Sequence, residues 1–501
     1  MDFNLTQFGM RLFFLLLLVF FISGCSSQES PNIRMGLASA PIGFDPRFTT
    51  DATSSRLNRL LYQRLVEFDE NRQPIPGIAD WQLLSPTHYR FTLNSDAAHF
   101  HDKQALTAQD VKATYASILD EATGSPHRAS LANIVKIDTK NDQTIDFLLA
   151  KPDPLFPGRL VIGILPKKAI DEGRGFNRQP LGSGPFSFQH WPESGRLFLK
   201  RNADAQIFEF LTVKEATVRV LKLLRGEVDI LQNDLQPELL GYLNEKRGVT
   251  IENGDGTRFT YLGFNLQDDF VGKHDVRLAI AHAIDRSAII HHLMGDAARP
   301  ASALLPPDHW AGNNTIPSYD YNPQKARKLL QALGYTQANP LHLTYKTSSD
   351  AFRIRLATVI QQQLSEVGIK VELKTYDWGT FYGDIKAGRF QMFSLSWVGI
   401  KSPDIFRYVF HSDSVPPVGA NRGRYLNKQA DALIEQGDSG ETVTVQAAAY
   451  RELQQVLWET LPYVPLWYED NYYVARHNIQ GYRLAVDGNY DGLVHVQKSI
   501  N

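Results

Sequence analysis

Ser183, flanked by Gly182 and Gly184, is the nearest approach in this chain to a nucleophile on a glycine elbow. It lacks the G-x-S-x-G spacing and Pro185 follows directly, so the segment reads as a rigid turn rather than a catalytic serine. His99 and His101 flank Phe100, which places both imidazoles on one side of an extended segment. His291 and His292 are adjacent and cannot share a helical face. Neither group has a nearby cysteine or a histidine partner one helical turn away, so solvated or capping roles fit better than a zinc site. Asp268 and Asp269 lack the spacing of a calcium loop and read as a solvated face. No G-x-x-x-x-G-K-[ST] or helix-opening G-x-G-x-x-G occurs, which removes the usual phosphate cradles. The expectation is a protein that is not an enzyme and uses no cofactor or metal.

The one thiol stands apart. Cys25 is the only cysteine, and it follows an apolar run over residues 12–22 that is preceded by Arg11. A cationic residue, a short apolar core and small residues form the layout of a secretory signal peptide. The run is shorter than the roughly 20 residues that span a bilayer. Ile22-Ser23-Gly24-Cys25 resembles the lipobox of bacterial lipoproteins, which implies that Cys25 is lipidated and becomes the mature N-terminus. Asp2 does not suit a signal-peptide leader, which makes Met10 an alternative start. Residues 25–30 then form a polar tether, and the body folds without disulfides. Ser26 does not resemble the aspartate of an inner-membrane retention signal, so the choice of membrane stays open.

About 475 residues remain, too many for one core, so two or three lobes are expected. The net charge of −2 offers no basic stripe to neutralise phosphates, which argues against a nucleic-acid partner. Aromatic residues make up 11%, and some are candidates for lining a cleft.

Strand and helix patterns alternate irregularly, as in a mixed α/β protein. Ile33, Met35 and Leu37 alternate as a strand, and residues 88–93 form another. Leu57, Leu60, Leu61 and Leu65 share a helical face over residues 53–66. Thr107 to Asp110 is a capping box. Residues 212–224 read as a helix, residues 228–231 and 260–266 as strands, and residues 275–294 as one long helix. Asn322 and Pro323 start a helix that Gly334 ends. A helix over 352–367 leads into a strand at 369–373. Residues 390–397 form an apolar strand before a loop, and a helix at 450–461 precedes the strand 463–475.

Several segments, in order, resemble the family 5 extracellular solute-binding proteins, the large receptors of ABC importers for peptides, nickel and related solutes. They are Gly43-Phe44-Asp45-Pro46 with Leu60-Leu61-Tyr62; Leu106-Thr107-Ala108-Gln109-Asp110-Val111; and the turn Pro180-Leu181-Gly182-Ser183-Gly184-Pro185-Phe186. Leu224-Arg225-Gly226-Glu227-Val228-Asp229 follows. Further on, Tyr261 to Leu266 is joined by Val276-Arg277-Leu278-Ala279-Ile280, by Ala283-Ile284-Asp285-Arg286 and by Tyr321-Asn322-Pro323. The resemblance implies a two-lobe periplasmic-binding-protein type II-like fold with an extra domain inserted in lobe I and a hinge between the lobes. It implies lobe I at 31–48, 171–262 and 476–501, the extra domain at 49–170 and lobe II at 263–475, with hinge strands near 262–266 and 473–476.

It also implies partners and a site. The expected ligand is a small peptide or peptide-like solute, delivered to ABC permease subunits by a monomer anchored to a membrane through Cys25. Peptide-binding members carry an acid, in the loop after a strand ending in tryptophan, that pairs with the ligand's α-ammonium. Here Ile400 stands at that position, beyond Trp397, with Asp404 nearby. An arginine for the ligand carboxylate is replaced by Thr347, with Lys346 beside it. Trp397 is either a cleft wall or a core residue beneath the loop. The alternatives to peptide import are a sensor or cell-wall-peptide binder on the same fold, or a receptor for a metal chelate or sugar derivative.

Overall fold

In the computed structural model, two long strands cross the molecule side by side. Val249–Phe264 and Tyr463–Arg476 pair antiparallel, from Val249 opposite Arg476 to Gly263 opposite Tyr463. The register slips between Gly254 and Arg258. Gly256 lies so close to its partner that a Cβ would sit 2.1 Å from the Glu469 carbonyl oxygen, which is why a residue without a side chain occupies the slip. The structure describes residues 30–499 except 70, 95–98, 193, 194, 399 and 401. Cys25, the apolar run before it and most of the tether lie outside the described residues.

This ribbon joins two halves of one sheet. On one side follow Ile230–Gln232, Ile33–Leu37, Ile207–Thr212, Arg196–Arg201 and Phe186–His190. On the other follow Met392–Trp397, Leu341–Ser348 and Ile369–Tyr376. Each half packs its own core. Ile33, Met35, Phe44, Leu57, Phe208 and Phe210 form that of lobe I. The C-terminal tail returns there through Tyr482, Leu493 and Val496, and Lys498 Nζ lies 3.0 Å from both oxygens of the fully buried Asp229. In lobe II the helices His274–Ala283, Arg286–Met294 and Ala351–Glu366 cover one face, and Ile405–Phe410, Lys428–Ser439 and Val443–Thr460 the other. A third body has its own antiparallel sheet, in the order Ala79–Ser85, His88–Leu93, Thr144–Leu149, Ile134–Thr139. The helix Ala108–Leu119 packs on it, over Phe91, Tyr115, Phe147 and Phe156. Each such buried side chain contributes roughly 1.5–3 kcal/mol. The fold is therefore α/β, two-lobed, with an extra domain, as the sequence implied.

Two sequence expectations need correction. The helix read over 275–294 is two helices, because Asp285 turns its carboxylate onto the Ala288 N–H at 2.9 Å and caps a new start. The helix read over 53–66 spans Ala52–Leu61, and Val66–Phe68 is a strand. Its last carbonyl, Leu61 O, accepts from Gly184 N at 2.9 Å. A Cβ on Gly182 would lie 1.9 Å from that same oxygen, so the Gly-Ser-Gly turn is a packing element. Ser183 is buried beneath it, its hydroxyl accepting from Gln63 N at 3.4 Å.

Arg277 and Arg286 are explained in the same way. Arg277 donates to the carbonyls of Leu461, Val271, Gly272 and Thr460. Arg286 donates to those of Pro465, Ala281, Ile284 and Tyr319. Burial pushes both guanidinium pKa values down to about 10, and both stay charged at neutral pH. They satisfy helix-end carbonyls that would otherwise be stranded.

Candidate functional site

Strand polarity decides where the site lies. In lobe I, Ile33–Leu37, Ile207–Thr212 and Ile230–Gln232 run parallel. In lobe II, Leu341–Ser348, Ile369–Tyr376 and Met392–Trp397 do the same. In each half the strand beside the ribbon pairs antiparallel with it, so both sets of carboxyl ends point at the crevice between the lobes. Open α/β sheets bind ligands at such an edge.

Three cavities open there. One of about 310 Å³ is lined by Arg59, Arg72, Thr257, Ile400, Arg483 and Asp487, among others. A second of about 620 Å³ shares Arg59 and Asp487 and adds Arg159, Val398 and Asp404. A third of about 320 Å³ lies between the segment after Gln232 and the start of the helix Ala351–Glu366, over Arg258, Arg353 and Glu469. Glu469 accepts from Thr260 Oγ1 at 2.8 Å, Arg258 Nη1 at 3.1 Å and both Arg353 Nη atoms at 3.3 Å. Burial alone would push its carboxyl pKa up, but Arg353 and Arg258 override that and hold it at about 2.

The residues singled out by sequence separate in space. Ile400 lines the first cavity and is buried. Asp404 lines the second and stands at the N-cap of Ile405–Phe410 without a side-chain cap bond. Its carboxylate instead meets Arg159 Nη1 of the extra domain at 3.3 Å, and burial pushes its pKa up against the pull of that arginine. Trp397 ends its strand opposite Phe259, with the Arg422 guanidinium 4.8 Å from its ring centre and the Tyr408 ring at 6.2 Å. Lys346 is held by Asp384 at 2.6 Å. Thr347, its neighbour, points to the opposite face and is buried. Neither lines the three cavities.

Sequence reasoning missed Arg72, Arg159, Arg422 and Glu469. Arg422 is buried and donates to the phenol oxygens of Tyr261 and Tyr382, each at 3.1 Å. Of the histidines, His101 Nε2 is 3.0 Å from the Gly184 carbonyl oxygen. Among the described residues no group of three or more His, Cys, Asp or Glu is placed to hold a metal ion.

A crevice between two α/β lobes that share a strand ribbon is the architecture of a solute-binding protein. The sequence profile of bacterial extracellular solute-binding proteins, family 5 Middle, matches residues 73–415. The chain belongs to that family, whose members work outside the cytoplasm. It is 26% identical to a di/tripeptide-binding protein of Pseudomonas aeruginosa over 94% of this chain and 96% of that one. Among solved structures it is similar to NikZ from Campylobacter jejuni in complex with Ni(L-His), with a TM-score of 0.79, 22% identity and 93% and 99% of the two chains covered. DppA from Helicobacter pylori in complex with the peptide STSA gives a TM-score of 0.76, 24% identity and 93% and 98% coverage. The fold is thus common to proteins holding different solutes, and the cleft residues must decide which solute this one takes.

Proposed function

We propose that this protein is the receptor of an ABC importer, capturing a peptide or peptide-like solute between its lobes and presenting it to membrane permease subunits. The observation that carries the reading is the crevice at the carboxyl ends of both half-sheets, spanned by one strand ribbon that serves as the hinge. Its function is binding rather than catalysis. Lobe I takes residues 31–48, 171–262 and 476–501, the extra domain 49–170, whose first helix packs Leu57 back into the lobe I core, and lobe II 263–475. The ribbon bends at the slip between Gly254 and Arg258. Lobe and domain faces meet through Arg159–Asp404 and Arg355–Glu238, which form as the cleft closes.

The solute's chemistry departs from that of free α-amino peptides at one end. Ile400 cannot compensate a buried ammonium, and stranding such a charge is costly. Cys25 carries the acyl anchor that holds the receptor at the membrane surface.

Solute capture shrinks the radius of gyration measured by small-angle scattering. It stabilises the fold by about 2.7 kcal/mol at a hundredfold excess over the dissociation constant. Binding without any change in scattering would remove the hinge from this reading. Cys25→Ser releases the protein from the membrane fraction or leaves it unprocessed, and equal fractionation of mutant and wild type would remove the anchor.

A further inference from the structure

The hairpin formed by Val66–Phe68 and Pro74–Pro76 carries Arg72 at its tip. Arg72 N donates to Asp69 O at 3.0 Å, and Gln73 N to Asp69 Oδ1 at 2.7 Å, which folds the turn tightly. Arg72 takes the left-handed conformation there, with φ of 61°. Glycine adopts that backbone freely, whereas an L side chain does so at a cost. The side chain is 8% exposed although it starts from a surface turn. Its Nη2 meets Asp308 of lobe II at 3.2 Å, and Asp308 is itself 61% exposed. Its Nη1 is buried with no hydrogen-bond partner among the described residues. A backbone held against its preference and a buried donor left without an acceptor together mark a group kept for something the free protein does not hold.

That group lines the same cavity as Ile400. Arg483 lines it too, exposed and with no ion pair among the described residues. The cavity's acids already have donors. Asp491 takes Arg59 Nε at 2.9 Å, Asp69 closes the hairpin turn, and Asp487 accepts from Asn489 N at 3.1 Å. The unused polar capacity is therefore cationic, beside an apolar wall.

We infer that Arg72, assisted by Arg483, anchors a carboxylate of the solute in this cavity, while Ile400 packs against an uncharged part of the same ligand. The cleft then selects a carboxylate-bearing, peptide-like solute without a free ammonium at this end. The inference rests on the peptide-receptor reading. A guanidinium offers a carboxylate charge-assisted hydrogen bonds that an amide cannot match.

The test presents the full chain with three mixed tripeptide pools and measures capture by mass spectrometry: N-acetylated with a free carboxylate, N-acetylated with an amide, and free-amine with an amide. The first is captured, and the other two at least tenfold less. Arg72→Gly, which removes the guanidinium and relaxes the turn, loses the first pool tenfold or more without a lower melting temperature. Asp308→Asn, which removes only the competing acceptor, retains it. If the arginine were merely a strap between domain and lobe, both variants would lose capture alike. Equal capture of an amide pool by the wild type, or undiminished capture by Arg72→Gly, overturns the inference and leaves the peptide receptor standing. Capture of no pool overturns the inference, and a fourth pool with both termini free then decides whether the peptide reading falls with it.

Discussion

Glu469, largely covered, and Arg72, buried, are both charges at the interlobe crevice, and their surroundings differ sharply. Glu469, on the hinge ribbon, has a hydroxyl and two guanidiniums around it, and its carboxyl is held at about 2. Arg72, on the hairpin of the extra domain, has one half-solvated aspartate and an idle buried N–H. Arg422 belongs with Glu469, since two phenols accept from it and an indole face covers it. A fully satisfied polar network fixes one geometry of the ribbon and the adjoining lobe. An unsatisfied group at the rim leaves binding energy for a ligand. On the proposed reading, the contrast separates the part of the crevice that holds the fold from the part that reads the solute.

Substitutions test that division, and the largest effect falls on the satisfied side. Glu469→Gln leaves Arg258 and Arg353 without their carboxylate and costs about 3–5 kcal/mol in denaturant unfolding. Because the folded pKa of Glu469 lies below the ordinary 4.5, its stabilisation is present above pH 4.5 and is lost as pH falls towards 2. The acid limb of the wild-type stability profile is therefore steep there, and Glu469→Gln flattens it. An unchanged limb would mean that the network does not hold the ribbon.

Trp397→Ala uncovers Arg422 and removes a half-buried ring that lines none of the three cavities, for a cost of about 3 kcal/mol. A thermal scan with no loss of stability, paired with weakened solute binding, would move Trp397 to the reading side. Arg72→Gly should gain up to about 1 kcal/mol in the apo protein by relieving the left-handed backbone, a gain that chemical denaturation can resolve. A loss of several kcal/mol would place Arg72 among the structural charges. Asp404→Asn is the smallest, below about 1 kcal/mol, because its pair with Arg159 is partly solvated. Scattering of the apo variant should show a slightly more open average.

The fold was legible because its signals are local. Capping residues, glycine stops and alternating strands appear in the sequence where the elements begin and end, and the family motifs recur in order. Local signals also misled. Nothing in the apolar pattern of residues 275–294 shows that Asp285 will turn back onto Ala288. The glycines at 254 and 256 hid a strand that begins at Val249 and tolerates a slip. The site was less legible, since its chemistry joins distant segments. Arg72 sits in a polar turn that reads as solvated, and its burial depends on Asp308, 236 residues away. Ile400 was singled out because the resemblance places an acid at its position, and the structure puts it in the cavity that Arg72 lines.

The crevice is proposed to hold its solute through an anionic group beside Ile400. The most direct measurement is mass spectrometry of the solute released on denaturing protein purified from its native host. A carboxylate-bearing, peptide-like molecule without a free α-amine, retained by the wild type and lost from Arg72→Gly, is the predicted result. A released solute that carries no anionic group, held equally by both proteins, would remove Arg72 from the site.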